Sequence, residues 1–338
     1  MKKTISLFAV GISLILLILS WFYLWRSNTV VPNEKAYLYI RTGATYSDVL
    51  DSLTKHQYIR HLGSFKTVAS LMKLEQNIHA GRYEIVSGMG NYSIVRMLKS
   101  GRQKPVKLVI NKLRTKTDIV RKLDAALEPD STSFAQLLND TAFLKTWNLN
   151  TSQVQCLFVP ATYECYWNTT AEKAISKIAE AYTRYWNDER KQLAASIGLS
   201  IPQVITIASI VEEETNQDDE KARIASVYLN RYKLGMMLGA DPTVKFAVGD
   251  FTLRRILNKH TQFASPYNTY QVKGLPPGPI CTPGKASIDA VLHAEKTNFL
   301  FFCAKEDFTG HHNFAVTYDE HLQNARRYQA ALDARKIK

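Results

Sequence analysis

At 338 residues the chain has room for about two domains and is too long for a single minimal module. Hydrophobic residues at 46% against 22% charged exclude global disorder and collagen-like repeats. The 43 Lys and Arg against 30 Asp and Glu leave +13, which asks for a polyanionic partner or an anionic surface, nucleic acid being the usual first suspect.

The first element is apolar. Ile5 to Trp25 carries no charge, and a helix of that length spans about 30 Å, the thickness of a bilayer's hydrocarbon core. Trp21, Phe22, Tyr23 and Trp25 crowd its far end like an interfacial aromatic belt. A cleaved signal peptide is the competing reading, but no small-x-small site precedes Arg26, so a retained anchor is expected. Lys2 and Lys3 precede the span, which by the positive-inside rule gives a single pass through the cell inner membrane with the N-terminus cytoplasmic. The expected organisation is a cytoplasmic stub (1–4), a transmembrane anchor (5–25), a stalk (26–35), a small module (36–104) and a catalytic domain (105–338). A chain facing outward has no nucleic-acid partner. Its basic surplus then meets anions of the wall or the membrane.

After the anchor, Tyr37–Ile40 reads as a strand, Arg41–Gly43 as a turn, and Thr45–Asp48 as a helix start with capping-box chemistry. The pattern returns about 45 residues later, with Arg82–Ile85, Ser87–Gly88 and Tyr92–Val95, closed by Gly101. A looser third copy runs from Leu108 to Leu123, and His61–Leu74 forms a helix between the first two. Residues 36–104 thus read as strand, helix, helix, strand and an appended helix. Such a module resembles a LysM-like glycan-binding domain, with Tyr37, Tyr39, Tyr83 and Tyr92 as aromatic faces for sugars or as ordinary core.

Residues 105–200 read as helical and linking. One helix is expected over Phe134–Trp147 and a long one over Ala171–Ile197, with the Pro-punctuated segment Phe158–Tyr163 between them. Cys156 and Cys165 flank that segment, as a loop-closing pair or as buried thiols. With Cys281 and Cys303 they are too few for a disulfide scaffold and lack the C-x-x-C spacing of a zinc ribbon.

Ser200-Ile-Pro202 opens a helix that runs through Val211 into Glu212, Glu213, Glu214 and Thr215. At 100° per residue its apolar positions fill a broad arc, Glu213 falls opposite that arc and is expected in solvent, and Glu212 and Glu214 fall along its edges. A carboxyl at a helix C-terminus, partly buried, has its pKa raised, which is what a general acid working near neutrality requires. An ordinary acidic helix end, paired with Lys221 or Arg223, is the alternative on pattern alone.

A second helix follows from Lys221 to Leu234. Then come loops dense in Pro, Gly, Asn and Thr: Asp241–Val244, Tyr267–Tyr270, Gly274–Ile280 and Thr282–Gly284. Together with Ala208–Thr215 and Ala225–Arg231, these blocks resemble in order and spacing the MltG (YceG-like) endolytic murein transglycosylases, over about residues 36–332 and with the anchor.

That resemblance implies an α+β protein with a single N-terminal transmembrane helix, a small LysM-like module and a mixed α/β catalytic domain. It makes Glu214 the catalytic acid and Glu212 a supporting carboxylate, and it places Asp241, Thr243, Asn268, Tyr270 and His312 against the substrate. His312 and Phe314 match a Gly-x-His-x-Phe-like element in Gly310-His-His312-Asn-Phe314, and Ala161 stands where an Asp is often found. No catalytic role is therefore expected at residue 161. The implied reaction cleaves the bond between muramic acid and glucosamine in nascent glycan strands, leaves a 1,6-anhydro end, and could terminate strand elongation beside peptidoglycan synthases. No cofactor or metal is expected: no phosphate loop, H-E-x-x-H or G-x-S-x-G occurs. The rival expectation is a non-catalytic, membrane-tethered glycan-binding or division-scaffold protein.

Overall fold

The computed structural model describes residues 2–31, 34–253 and 255–335, with the side chains of 2–10, 16 and 19 outside that description. It divides into two compact units, one of Met1–Lys107, Ala125–Asp130 and Glu164–Thr170, the other of Leu108–Asp124, Ser131–Tyr163 and Ala171–Lys338.

The first unit begins with helix α1 (Lys2–Leu24). Strand β1 (Lys35–Ile40) pairs antiparallel with β2 (Gly81–Val86), Ile40 facing Gly81 and Lys35 facing Val86. Helices α2 (Tyr46–Lys55) and α3 (Leu62–Leu71) lie between the strands in sequence, and α4 (Asn91–Ser100) follows. The expected order of the module is observed. Thr45 and Asp48 cap α2 reciprocally, and Gly101 ends α4 at φ 63°, a conformation costly for a residue with a Cβ. Alternation along the strands sends Leu38, Ile40, Tyr83 and Ile85 inward onto Val49, Leu53, Phe65, Val68 and Ile94. Tyr83 is fully buried, its hydroxyl donating to the His79 carbonyl, and offers no face to a sugar.

The stretch expected as a stalk is packed instead. Ser27 bridges Gly90 and Thr29 bridges Ile59, while Asn28 and Thr29 are buried. Asn28 Nδ2 donates to Asn91 Oδ1 at 2.6 Å, and Asn28 Oδ1 accepts from His61 N at 2.8 Å. Hydrogen bonding through a small polar side chain turned a composition that reads as linker into a docked segment. Met1 of the expected stub and Pro32 and Asn33 of the stalk lie outside the described residues.

Two later segments also join this unit, which moves its boundary from the single cut expected at 104. The Glu128 carboxylate accepts from Thr42 N at 2.7 Å and Thr42 Oγ1 at 2.6 Å, Trp167 packs edge-on against Tyr39, and Asn168 Nδ2 donates to the Ala80 carbonyl.

Leu14, Leu17, Ile18, Trp21 and Phe22 on α1, and Trp25 just after it, are exposed. Among the described residues no single helix is long and apolar enough to cross a membrane; the apolar helical stretch with described side chains is Gly11–Leu24, apart from residues 16 and 19.

Strands β3 (Val106–Ile110) and β4 (Ala161–Cys165) make a second two-stranded sheet, and helix α5 (Lys116–Asp124) follows β3 as the third strand-turn-helix copy requires. Helices α6 (Ser131–Leu137) and α7 (Thr141–Lys145) replace the single helix expected over 134–147, because Asp140 turns its carboxylate onto the Ala142 and Phe143 amides and starts a new helix. Asn187 does the same between α8 (Ala171–Tyr185) and α9 (Asp188–Ser196), accepting from Arg190 N. Cys156 and Cys165 are buried thiols outside any disulfide.

The remaining elements are α10 (Ile201–Glu214), α11 (Lys221–Lys233), α12 (Asp241–Val248), α13 (Asn258–Thr261), α14 (Lys285–Leu292), the antiparallel pair β5 (Phe301–Ala304) and β6 (His312–Ala315), and α15 (Tyr318–Ala334). Every residue from Val204 to Val211 is buried, so α10 is a central core helix with α9, α11, α12 and α14 around it. Among the described residues the sheets are two-stranded, so the chain is a mixed α+β protein with small sheets.

Candidate active site

The core helix α10 delivers three consecutive carboxyls to its last turn. A capping box between Ser200 and Gln203 with Pro202 starts the helix, and Thr215, in extended conformation, ends it. Successive residues on a helix point about 100° apart, so the three acids meet three different environments.

Glu213 was expected in solvent and is not there. Its side chain is 14% exposed, with Arg114 donating to both its oxygens at 3.0 and 3.1 Å and Lys112 at 3.1 Å. Burial disfavours its charge, but the two cations overcome that and hold its pKa below the usual carboxylate value. The helical wheel placed Glu213 correctly on the far side of the arc; what it could not show is that the loop after β3 covers that side.

Glu212 is a structural anchor. Its Oε2 accepts from the Ser287 hydroxyl and from Gly284 N at 3.3 Å, and buried Lys221 lies 3.6 Å away. One carboxylate therefore ties the Thr282–Gly284 turn, the start of α14 and the start of α11 to the last turn of α10.

Glu214 is different again. Tyr228 of α11 donates its hydroxyl to Glu214 Oε1 at 2.5 Å. Burial, reinforced by the charge of Asp241, pushes the Glu214 pKa up to about 7, against the opposing pull of Tyr228, Lys245 and Arg231. Two neighbouring carboxyls are thus driven apart, Glu213 ionised and Glu214 poised to hold or release a proton near neutrality. Arg231, one helical turn beyond Tyr228, is pinned by donations to the Leu238 and Leu300 carbonyls at 2.6 Å each. Across from it Tyr270 donates to Asp241 Oδ1 at 2.7 Å, and burial raises its phenol well above the usual value. Gly239, at φ 57°, lets the chain pass this group: a Cβ there would stand 3.4 Å from the Arg231 guanidinium.

The sequence matches the model of the YceG-like family over residues 38–327. The chain belongs to that family. It is 29% identical over 337 residues to the endolytic murein transglycosylase of Bacillus subtilis (strain 168), covering 92% of this chain and 91% of that one. The endolytic murein transglycosylase of Streptococcus pneumoniae serotype 2 is 29% identical over 174 residues, 50% of this chain and 31% of the other. The crystal structure of a YceG-like protein from Listeria monocytogenes matches with a TM-score of 0.57 at 28% identity, covering 86% of this chain and 99% of that one.

In this YceG-like chain, the residues expected against substrate separate into two groups. Asp241 is exposed and Tyr270 partly so, and both belong to the electrostatic surroundings of Glu214. Thr243 and Asn268 lie inside the fold. Thr243 is fully buried, its hydroxyl shared between the Ala240 carbonyl and Thr269. Asn268 is fully buried too, donating to the Thr261 and Phe263 carbonyls and accepting from Tyr270 N. Its amide is spent on folding the loop that presents Tyr270. His312 is held by Glu220, through its backbone N at 2.9 Å and its Nδ1 at 3.1 Å, and its ring meets Phe302 edge-on. Ala161 opens β4.

Tyr228 and Arg231 are the site residues that sequence reasoning missed. Both stand in the Ala225–Arg231 block, three apart on one helical face, but nothing in the chain ties that face to Glu214 before the helices pack. Among the described residues no group of three or more His, Cys, Asp and Glu side chains could hold a metal ion.

Proposed function

We propose that this chain is a peptidoglycan lytic transglycosylase with Glu214 as its acid and base. The observation that carries the reading is a single carboxyl, at the end of a buried helix, with its pKa raised to about 7. Hydrolytic glycosidases use two carboxyls, the second activating water or attacking the sugar. Here the other acids near it are engaged elsewhere, Glu213 by Arg114 and Lys112, Glu212 by Gly284 and Ser287, and Asp241 by the Tyr270 hydroxyl. One carboxyl suffices if the substrate supplies its own nucleophile. Glu214 gives its proton to the glycosidic oxygen as the bond from muramic C1 breaks. The muramic 6-hydroxyl then attacks C1 and returns its proton to the Glu214 carboxylate. No water is consumed, and a 1,6-anhydro end remains. The names of the relatives from Bacillus subtilis and Streptococcus pneumoniae support murein as the substrate.

The finer reading is a protein held in the cell inner membrane by the apolar segment 5–25, its LysM-like first unit engaging glycan and its cuts ending nascent strands beside peptidoglycan synthases. The exposed apolar face of α1 supports the anchor, and the packed Ser27–Thr29 segment gives it a short tether. The test is incubation of the purified chain with un-crosslinked glycan strands, followed by mass spectrometry. Anhydro-ended products that vanish in Glu214→Gln support the reading, whereas reducing ends or uncut strands refute it.

A further inference from the structure

Glu214 has two oxygens, and they are not equivalent. Oε1 accepts from the Tyr228 hydroxyl, while among the described residues no hydrogen-bond donor reaches Oε2. Tyr228 itself is 1% exposed, with its ring edge-on to Phe302 at 5.9 Å between centroids. A phenol buried that deeply needs a partner, and its hydroxyl finds one in Glu214.

We propose that Tyr228 is a positioning residue for the proton-transferring carboxyl: by holding Oε1 it fixes the rotation of the Glu214 side chain and leaves Oε2 as the oxygen that delivers and recovers the proton. The inference rests on the acid role of Glu214 proposed above. Tyr228 is placed on a packed helix rather than on a loop, so the geometry is set before substrate arrives, and the ring's burial against Phe302 prevents the hydroxyl from swinging away.

The bond also sets where the carboxyl titrates. A donor held at 2.5 Å stabilises the carboxylate more than the acid, and so offsets part of the burial that drives Glu214 upward. The other groups that act on Glu214 are Arg231 from α11, Asp241 and Lys245 from α12, and through Asp241 the phenol of Tyr270. On the remaining neighbours, α9 and α14, Arg190 and Asp289 pair with each other. Tyr228 is the one of these that touches the carboxyl. Losing its hydroxyl therefore moves the Glu214 titration to higher pH, by about one pH unit for a hydrogen bond to a charged group.

The experiment compares the full chain, Tyr228→Phe and Glu214→Gln, each labelled with 13C at the glutamate carboxyl and followed by NMR across pH. Glu214 is assigned as the resonance missing from Glu214→Gln. In parallel, the rate of anhydro-end formation is measured over the same pH range. In Tyr228→Phe the Glu214 resonance is expected to titrate about one pH unit higher, with the alkaline limb of kcat moving the same way. At neutral pH kcat should fall about tenfold, with KM changed less than about twofold, since the lost contact is to the acid and not to the sugar. An unmoved titration and an unmoved limb overturn the proposal, even if activity drops. Absence of anhydro ends from the unaltered chain refutes the functional reading instead, and leaves the carboxyl titration to decide this one. Should Tyr228→Phe not fold, the unaltered chain still decides: a strongly deshielded hydroxyl proton that shifts as Glu214 titrates is expected, and its absence overturns the proposal.

Discussion

Replacing Glu214 by Gln should abolish cleavage and, at alkaline pH, make the protein more stable. The sign follows from the direction of the pKa. A carboxyl that titrates at about 7 in the folded chain and at its ordinary 4.5 when unfolded binds more protons folded than unfolded between those values. Stability therefore falls as pH rises from 4.5 to about 7, and the deficit is complete above 7. The gap corresponds to about 3 kcal/mol, taking each pH unit as about 1.4 kcal/mol. Glutamine keeps the size of the side chain and an oxygen that can accept from Tyr228, but carries no charge to desolvate. Scanning calorimetry near pH 5 and near pH 8 separates the cases. Around pH 5 the variant and the unaltered chain should melt together, and around pH 8 the variant should melt about 5–10 °C higher. Equal melting at both pH values would refute the buried-acid reasoning. A variant stabilised equally at both would show that the gain lies in packing and not in the ionisation of Glu214.

Glu213→Gln, which a helical wheel treats as a harmless surface change, should cost about 1–3 kcal/mol in urea denaturation near pH 7, because it strips Arg114 and Lys112 of their shared carboxylate. A cost under about 0.5 kcal/mol would mean that the exposed side of Arg114 makes the pair dispensable. Gly278→Ala should destabilise the second unit strongly, since its new Cβ would stand 1.9 Å from the Ser152 carbonyl oxygen, a clash between two backbones that no rotamer relieves. A soluble, fully active alanine variant with an unchanged melting temperature would contradict the close approach.

Much of this architecture is legible along the chain because it is decided locally. The strand-turn-helix copies declare themselves through alternating strands, the Thr45–Asp48 cap and Gly101, all within a few residues of the elements they shape. The length and apolarity of α10 announce a buried helix, and its Glu212–Glu214 ending marks where polar chemistry must emerge. The breaks at Asp140 and Asn187 were legible too, as capping residues, but periodicity across them read as one helix each.

What only the tertiary structure decided is which partner each polar group meets. Glu213 and Glu214 are adjacent and chemically identical in the sequence. Arg114, far back along the chain, ionises the first, and burial with the charge of Asp241 keeps the second near neutrality against the pull of Tyr228. Asn268 and Thr243 carry the residue types of a sugar-binding loop, yet the fold spends them on backbone carbonyls and on Thr269. Periodicity fixes a side chain's direction from its own helix, but desolvation and pairing depend on what packs there, and that is set by contacts between residues distant in sequence.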